Sequence, residues 1–391
     1  MITLIEPTQT ILPSFNRVLY RISSDNADET GFKYVVKIYN SNDELVATSY
    51  YDSPANPADE VEFDVSKLVS TYYSFSNGFY QAATTSSVSS TLFPFYLKCY
   101  EYYQIDGEYV IVLASEVVST TKQGVAASLP LLELKNWVAN DYNGTNTSTY
   151  KPLTDWELMK CRSTDQHIVG FYNDGKILNL ELVVTYSNNT QSTFYLTPSA
   201  IVGTKITYFQ ITPLTYGSTT DHIQLFINWS YLSVARRYEI GTLYIQPCGK
   251  YEPMRVAYLN KYGCYDFFNF DLVSKTSFEI EKKLYQKDYA GDIYETDNIV
   301  KNIMPVYYTK ETQKWKIISD YLTDAQSLLI RQLYSSPLVY LNVVDDTEIT
   351  PSWIPVKPIA TSYELKKSIS DKLFNLELDV ELGLINNRQS I

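Results

Sequence analysis

Two histidines, four cysteines and 44 carboxylates are the residues of this chain that could do chemistry. His167 lies two residues after Asp165, and His222 directly follows Asp221, so each histidine has a carboxylate at hand for acid–base work. Sequence neighbours seldom face one another as a catalytic pair, and no Ser or Cys stands in an activated turn that would complete a nucleophilic triad. Cys161, His167, Cys248 and Cys264 could be written as a ligand set, but their spacing lacks the paired ligands of structural zinc sites. There is no phosphate-cradling glycine loop and no zincin helix. Many carboxylate pairs could serve glycoside hydrolysis, and nothing selects one of them. The expectation is a chain that is not an enzyme, with no catalytic residues, no metal and no cofactor.

What the chain has in excess is aromatic surface, with 36 Tyr and 16 Phe. Tyr, Phe, Val, Ile and Thr favour pleated, half-buried surfaces, so the composition leans to β. Hydrophobic residues make up 45%, enough for real cores over 391 residues and for two or three domains. The net charge of −12 repels phosphate backbones, and the pairs Arg236-Arg237, Lys282-Lys283 and Lys366-Lys367 each have an acid close by. No specific nucleic-acid binding is expected, although DNA could pass through a neutral or acidic lining without sticking. Met1 to Pro7 lacks the basic flank of a signal peptide, and no run of eighteen apolar residues predicts a membrane span. The scattered cysteines read as reduced thiols made in a cytoplasm.

The elements read mainly as β. Phe32 to Tyr51 and Phe93 to Val118 form two hairpins, the second turning at Asp106-Gly107, and together they predict an immunoglobulin- or fibronectin-like sandwich over 1–125. Thr120 to Ala127 reads as a linker. Ser/Thr-rich 81–91 and polar 140–151 read as loops, and Leu129 to Asp165 as irregular. Trp137 and Trp156 in that stretch serve either as core or as anchors to a neighbouring layer or subunit. Leu178, Leu180 and Leu182 alternate with polar residues and open a second sandwich over 126–257. A C-terminal β-rich domain, 258–391, holds strands, a hairpin within 304–318, and one short helix at 323–335. Thr323 and Gln326 have capping-box spacing there, with Ala325, Leu328, Leu329 and Leu333 on one face. Leu373 to Leu382 reads as an amphipathic strand.

The run Tyr258-Leu-Asn-Lys-Tyr-Gly-Cys-Tyr-Asp-Phe-Phe-Asn-Phe270 breaks an apolar pattern at Asn260 to Gly263. Gly263 permits a sharp turn, and Asn260 and Asp266 can bond nearby amides. On its residues alone this is a β-turn between buried strands. The run also resembles the W/F-L-N-x-x-G-G-Y-D-x-F-x-F signature of virion structural proteins of Bacteroidota tailed phages and prophages, crAss-like phages in particular, departing from it at Tyr258 and Cys264. Pro13 to Asn16, Phe63 to Ser66, Trp315 to Ser319 and Ser335 to Leu341 are similar to the surroundings of that signature.

The resemblance implies a structural component of a phage virion, at the neck or tail, synthesised in the host cytoplasm. Identical subunits would form a symmetric ring or sleeve and meet other neck or tail proteins. Asn260, Gly263, Tyr265, Asp266, Phe268 and Phe270, with Trp137 and Trp156, are the candidate signature and interface residues. The alternative is a glycan-binding or glycan-cleaving module of the tail tip. The two differ in whether aromatics face another chain or a solvent-facing cleft.

Overall fold

A computed structural model describes residues 1–54, 56, 59–71, 87–89, 92–130, 133–134, 141–142, 148–156, 158–198, 205–246, 251–284, 306–343, 352–359, 375–382 and 386–387. The protein is mainly β, with several sheets and one helix longer than two turns among these residues. It divides into two compact units. Met1–Gln246 and Asn260–Tyr265 form the first; Pro247–Leu259 and Asp266–Ile391 form the second.

The first unit opens with β1 (Ile2–Ile5), β2 (Ile11–Pro13), β3 (Leu19–Ser24), β4 (Lys33–Asn40), β5 (Leu45–Asp52), β6 (Val61–Asp64) and a short α1 (Ser66–Ser70). It continues with β7 (Ser87–Ser89), β8 (Leu92–Ile105), β9 (Glu108–Val118) and β10 (Lys122–Val125). Strands β1-β3-β6 form one sheet; β2-β10-β8-β4-β5, with β9 beside β8, form another. A single core joins them: Tyr20, Ile22 and Phe63 from the smaller sheet meet Tyr34, Val36, Ile38, Phe95 and Leu97 from the larger. This is a sandwich, and period-two alternation builds it. Asp106 and Gly107 both take positive φ, 52° and 89°, as the tight hairpin turn requires. The stretch read as a linker contains β10. Lys122 and Gly124 hide the strand, but the Lys122 ammonium reaches the Pro7 carbonyl at 2.7 Å and Glu6 at 3.3 Å, so a buried cation is satisfied.

A second sheet pair follows: β11 (Leu158–Cys161), β12 (His167–Asn173), β13 (Ile177–Tyr186), β14 (Gln191–Leu196), β15 (Lys205–Ile211), β16 (Thr220–Tyr231) and β17 (Val234–Ile245). The orders are β11-β17-β16-β13-β14 and β12-β15-β7. Tyr150 bridges them edge-on, 5.5 Å from the Trp229 ring and 5.9 Å from Phe171, and its hydroxyl donates to the Tyr172 carbonyl. Three sequence expectations change here. Ser87–Ser89, inside the expected loop 81–91, pairs with β15. Leu158–Cys161, inside the stretch expected to be irregular, runs parallel to β17. A register shift between Ile177 and Asn179 buries Ile177 and leaves Leu178 exposed, because a bulge reverses the faces of the pleat.

The second unit is built on β18 (Met254–Leu259), β19 (Tyr265–Phe270), β20 (Lys275–Leu284), β21 (Val306–Ile318), α2 (Asp324–Ser335), β22 (Val339–Val343), β23 (Ser352–Pro358) and β24 (Glu377–Leu382). They form one sheet in the order β19-β18-β22-β23-β24-β21-β20. In place of the hairpin expected within 304–318 there is one continuous strand from Val306, since the polar run Thr309 to Gln313 holds no Gly, Pro, Asn or Asp and pairs residue by residue with β20. Both capping-box bonds of α2 form: Gln326 N donates to Thr323 Oγ1 at 3.3 Å, and Thr323 N to Gln326 Oε1 at 3.1 Å. The buried face of α2 is Ser327, Leu329, Ile330 and Leu333; Ile330 and Leu333 pack with Val256, Tyr258, Leu341 and Leu378, while Leu328 is exposed. Positions 327, 330 and 333 form the buried stripe with 329 beside them, and the Ala325 side chain lies outside the described residues. Strand β23 escaped sequence reading because Pro355 and Pro358 lie within it.

Candidate functional site

The turn at Asn260 to Cys264 is held by one side chain. Asn260 Oδ1 accepts from the amides of Tyr262 and Cys264, both at 3.0 Å, and its Nδ2 donates to the Leu153 carbonyl at 2.9 Å. Its backbone adds Asn260 N to Cys264 O at 2.7 Å and Gly263 N to Asn260 O at 3.1 Å. Gly263 has φ of +81°, and any Cβ there would overlap the Ala126 carbonyl oxygen. Only glycine satisfies both demands. Cys264 is buried, its sulfur so close to Gly170 that a Cβ on that residue would lie 2.8 Å from it.

The segment Val125 to Leu129 is gripped from two directions. Ser128 N donates to the Lys261 carbonyl at 2.8 Å. On its other side Ser14 N bonds Val125 O at 2.8 Å, Phe15 N bonds Ala127 O at 3.1 Å, and Asn16 makes a reciprocal side-chain pair with Leu129, 2.8 and 2.7 Å. Two stretches singled out in the sequence, Pro13 to Asn16 and the signature turn, thus act on the same five residues. Tyr262, Cys264, Leu153, Ile11, Val125 and Leu129 close an apolar cluster around them.

A compact charged set flanks the turn. Lys261 Nζ is 2.6 Å from Glu133 and 2.5 Å from Asp155, whose other oxygen accepts from the Tyr262 hydroxyl at 2.7 Å. Burial alone would pull the Lys261 pKa down, but its bonds to Asp155 and Glu133 outweigh that and raise it. Burial, then Asp155 and Tyr142, pushes the Tyr262 phenol far up, so it remains a neutral donor. The set holds its charges in fixed pairs.

The remaining candidates are distributed as follows. Tyr265, Asp266 and Phe270 are buried, Phe268 is half-buried and stands edge-on to Phe270 at 5.2 Å, and Trp156 is buried. Trp137 lies outside the described residues, as does Cys248. Asp221 and His222, adjacent in sequence and expected not to face one another, do bond at 2.8 Å at the start of β16, with the imidazole stacked on Tyr244. Among the described residues no three His, Cys, Asp or Glu side chains gather around a point where an ion could sit.

Sequence reading missed how the tyrosines of the first sandwich combine. On the outward face of its larger sheet Tyr39 stacks on Tyr96 at 5.5 Å, Tyr102 on Tyr109 at 5.8 Å, and Tyr50 meets Tyr102 edge-on at 6.0 Å. Lys37 and Lys98 lie over Tyr100 and Tyr39, at 5.1 and 5.2 Å. Tyr96 donates to Asp43 at 2.7 Å, which pushes its pKa up to about 12. Tyr50 and Tyr109 remain about half exposed, at 56% and 50%. The register that aligns these rings spans four strands, beyond what alternation within one strand reveals. Comparison with known proteins adds no relative: neither a protein-family model nor a curated protein matches the chain.

Proposed function

We propose that this protein is a structural component of a tailed-phage virion, repeated as identical subunits in a ring or sleeve at the neck or tail. The observation that carries the reading is the run Tyr258 to Phe270, with its likeness to the virion signature. The geometry supports it by giving the fixed residue types of that signature architectural tasks. Asn260 ties the turn, Gly263 admits the Ala126 carbonyl, and Asp266 and Phe270 are buried. Lys261, at one of its variable positions, adds a half-buried ion pair with Asp155. These are properties of a firmly held turn and suit a part that must hold its shape under load. The test is cryo-electron microscopy of intact virions, with the chain located in the averaged density. Many copies on a symmetry axis are expected; a chain absent from particles would overturn the reading.

A second reading, glycan binding at the tail tip, is favoured by the half-exposed rings of Tyr50 and Tyr109 on the tyrosine-lined sheet face. Aromatic faces flanked by polar groups stack on sugar rings. A glycan array with wild type and a Tyr50→Ala, Tyr109→Ala variant separates the two, since only this reading expects binding that the variant loses.

A further inference from the structure

Strand β20 is an edge with nothing on its open side among the described residues: it pairs only with β21, and all ten of its residues are exposed. Most edges are short, twisted away or covered. This one is ten residues long, and its even positions carry Phe278, Ile280 and Leu284 at 56%, 54% and 51% exposure. Beyond the pairing of β21 with β24, at Lys314 to Ile318, and a two-residue bridge from Asn386 and Asn387 to Glu311 and Lys310, β20 and the outer part of β21 continue as a two-stranded ribbon. Two strands alone are marginal in water.

The charges of the edge give the occupant. Glu279 is paired within the chain, to Lys314, and Lys283 lies over the Tyr308 ring at 5.2 Å. Lys275 and Glu281 have no ion-pair partner among the described residues. We propose that β20 pairs antiparallel with β20 of a second copy, about a twofold axis through Phe278. Symmetry then opposes residues whose numbers sum to twice that of the central one, and opposed side chains share a face. Centred on Phe278, the register sets Lys275 against Glu281 twice, Thr276 against Ile280 twice, and Phe278 against itself. Of the self-registers that overlap seven residues or more, it alone opposes no like charges. A centre at Glu279 sets Lys275 on Lys283 and Glu279 on itself. Centres at Ile280 and Glu281 set Glu279 on Glu281 and Glu281 on itself. A parallel, in-register pairing sets every charge on its own kind. Lys282 and Lys283, the residues that guard the edge against indiscriminate pairing, fall beyond the seven that this register joins.

This contact is independent of the virion reading, because it concerns the full chain in solution. The experiment is sedimentation equilibrium of wild type, Lys275→Glu, Glu281→Lys and the double variant. The expected result is a concentration-dependent dimer for wild type, association weakened at least tenfold in each single variant, and recovery in the double. Recovery excludes misfolding as the cause. A Phe278→Cys variant is expected to form a disulfide-linked dimer under mild oxidation, since the two Cβ atoms of an opposed pair lie about 5 Å apart. A wild type that stays monomeric at high concentration would overturn the proposal. So would a mass that grows past the dimer while the Phe278→Cys variant forms no disulfide-linked species, which would point to a different edge as the partner. Single variants that associate like wild type would overturn it as well.

Discussion

The turn at 260–265 and the strand at 275–284 lie ten residues apart in sequence and are opposites in structure. In the turn, Asn260, Tyr262, Cys264 and Tyr265 are buried, and the polar groups of Asn260, Lys261 and Tyr262 are bonded within the chain. In the strand every residue is exposed, and the apolar side chains face solvent. The turn holds two tyrosines and one charge, the strand one phenylalanine and five charges, but each mixes rings with charges, and a count of types does not say which will be buried. What separates them is whether the chain itself supplies partners. A residue type that has its partner at home supports the fold, and the same type without one is free to bind elsewhere.

That contrast sets the order of the expected mutational effects. Gly263→Val should cost most, roughly 3–5 kcal/mol, combining a strained positive φ with overlap on the Ala126 carbonyl. Denaturant titration checks this, and an unchanged midpoint would show that the turn does not depend on glycine at this position. Lys261→Met should cost about 1 kcal/mol, because it takes the cation from Asp155 and Glu133, which stay 32% and 44% exposed and so remain partly solvated. The companion Asp155→Asn, measured in the same melts, should lose less than the sum when combined with it, since the two residues act as a pair.

Acidification acts on a smaller scale. The guanidinium of Arg237 holds Glu181 below its ordinary pKa of 4.5. Burial pulls Glu6 upward, but bonds from Thr120 and Lys122 outweigh it and leave the value lowered too. Both groups therefore add stability that is complete above the unfolded value near 4.5 and is lost as pH falls through the lower folded values. Melting temperature should decline below about pH 4.5, and Glu181→Gln should flatten part of that decline. Lys261 works in the opposite direction: its raised pKa gives stability that is present below about pH 10.4 and disappears only as pH climbs through the folded value. The smallest effect is expected in the strand. Phe278→Ser should change monomer stability by no more than about 0.5 kcal/mol, as for an exposed site, when unfolding is followed at dilution. A loss of several kcal/mol there would mean that Phe278 has a partner within its own chain.

Local chemistry was legible in the sequence wherever its causes lie a few residues apart. The Asp106-Gly107 turn, the Thr323–Gln326 capping box and the positive φ of Gly263 all arise from backbone geometry that neighbours dictate. Short-range alternation likewise marked most strands of the two sandwiches. Where a bulge or a proline interrupts the period, at Leu178 and in β23, the same reasoning loses the face or the strand. The tertiary structure alone decided the long-range choices. Asn260 could have bonded any carbonyl; the fold brings it Leu153, 107 residues away, and gives Lys261 the carboxylates of Glu133 and Asp155. It also set four strands in the register that joins the tyrosines of one sheet face into a surface. Such pairings depend on which strand lies beside which, and a strand's own sequence states only which of its faces is apolar.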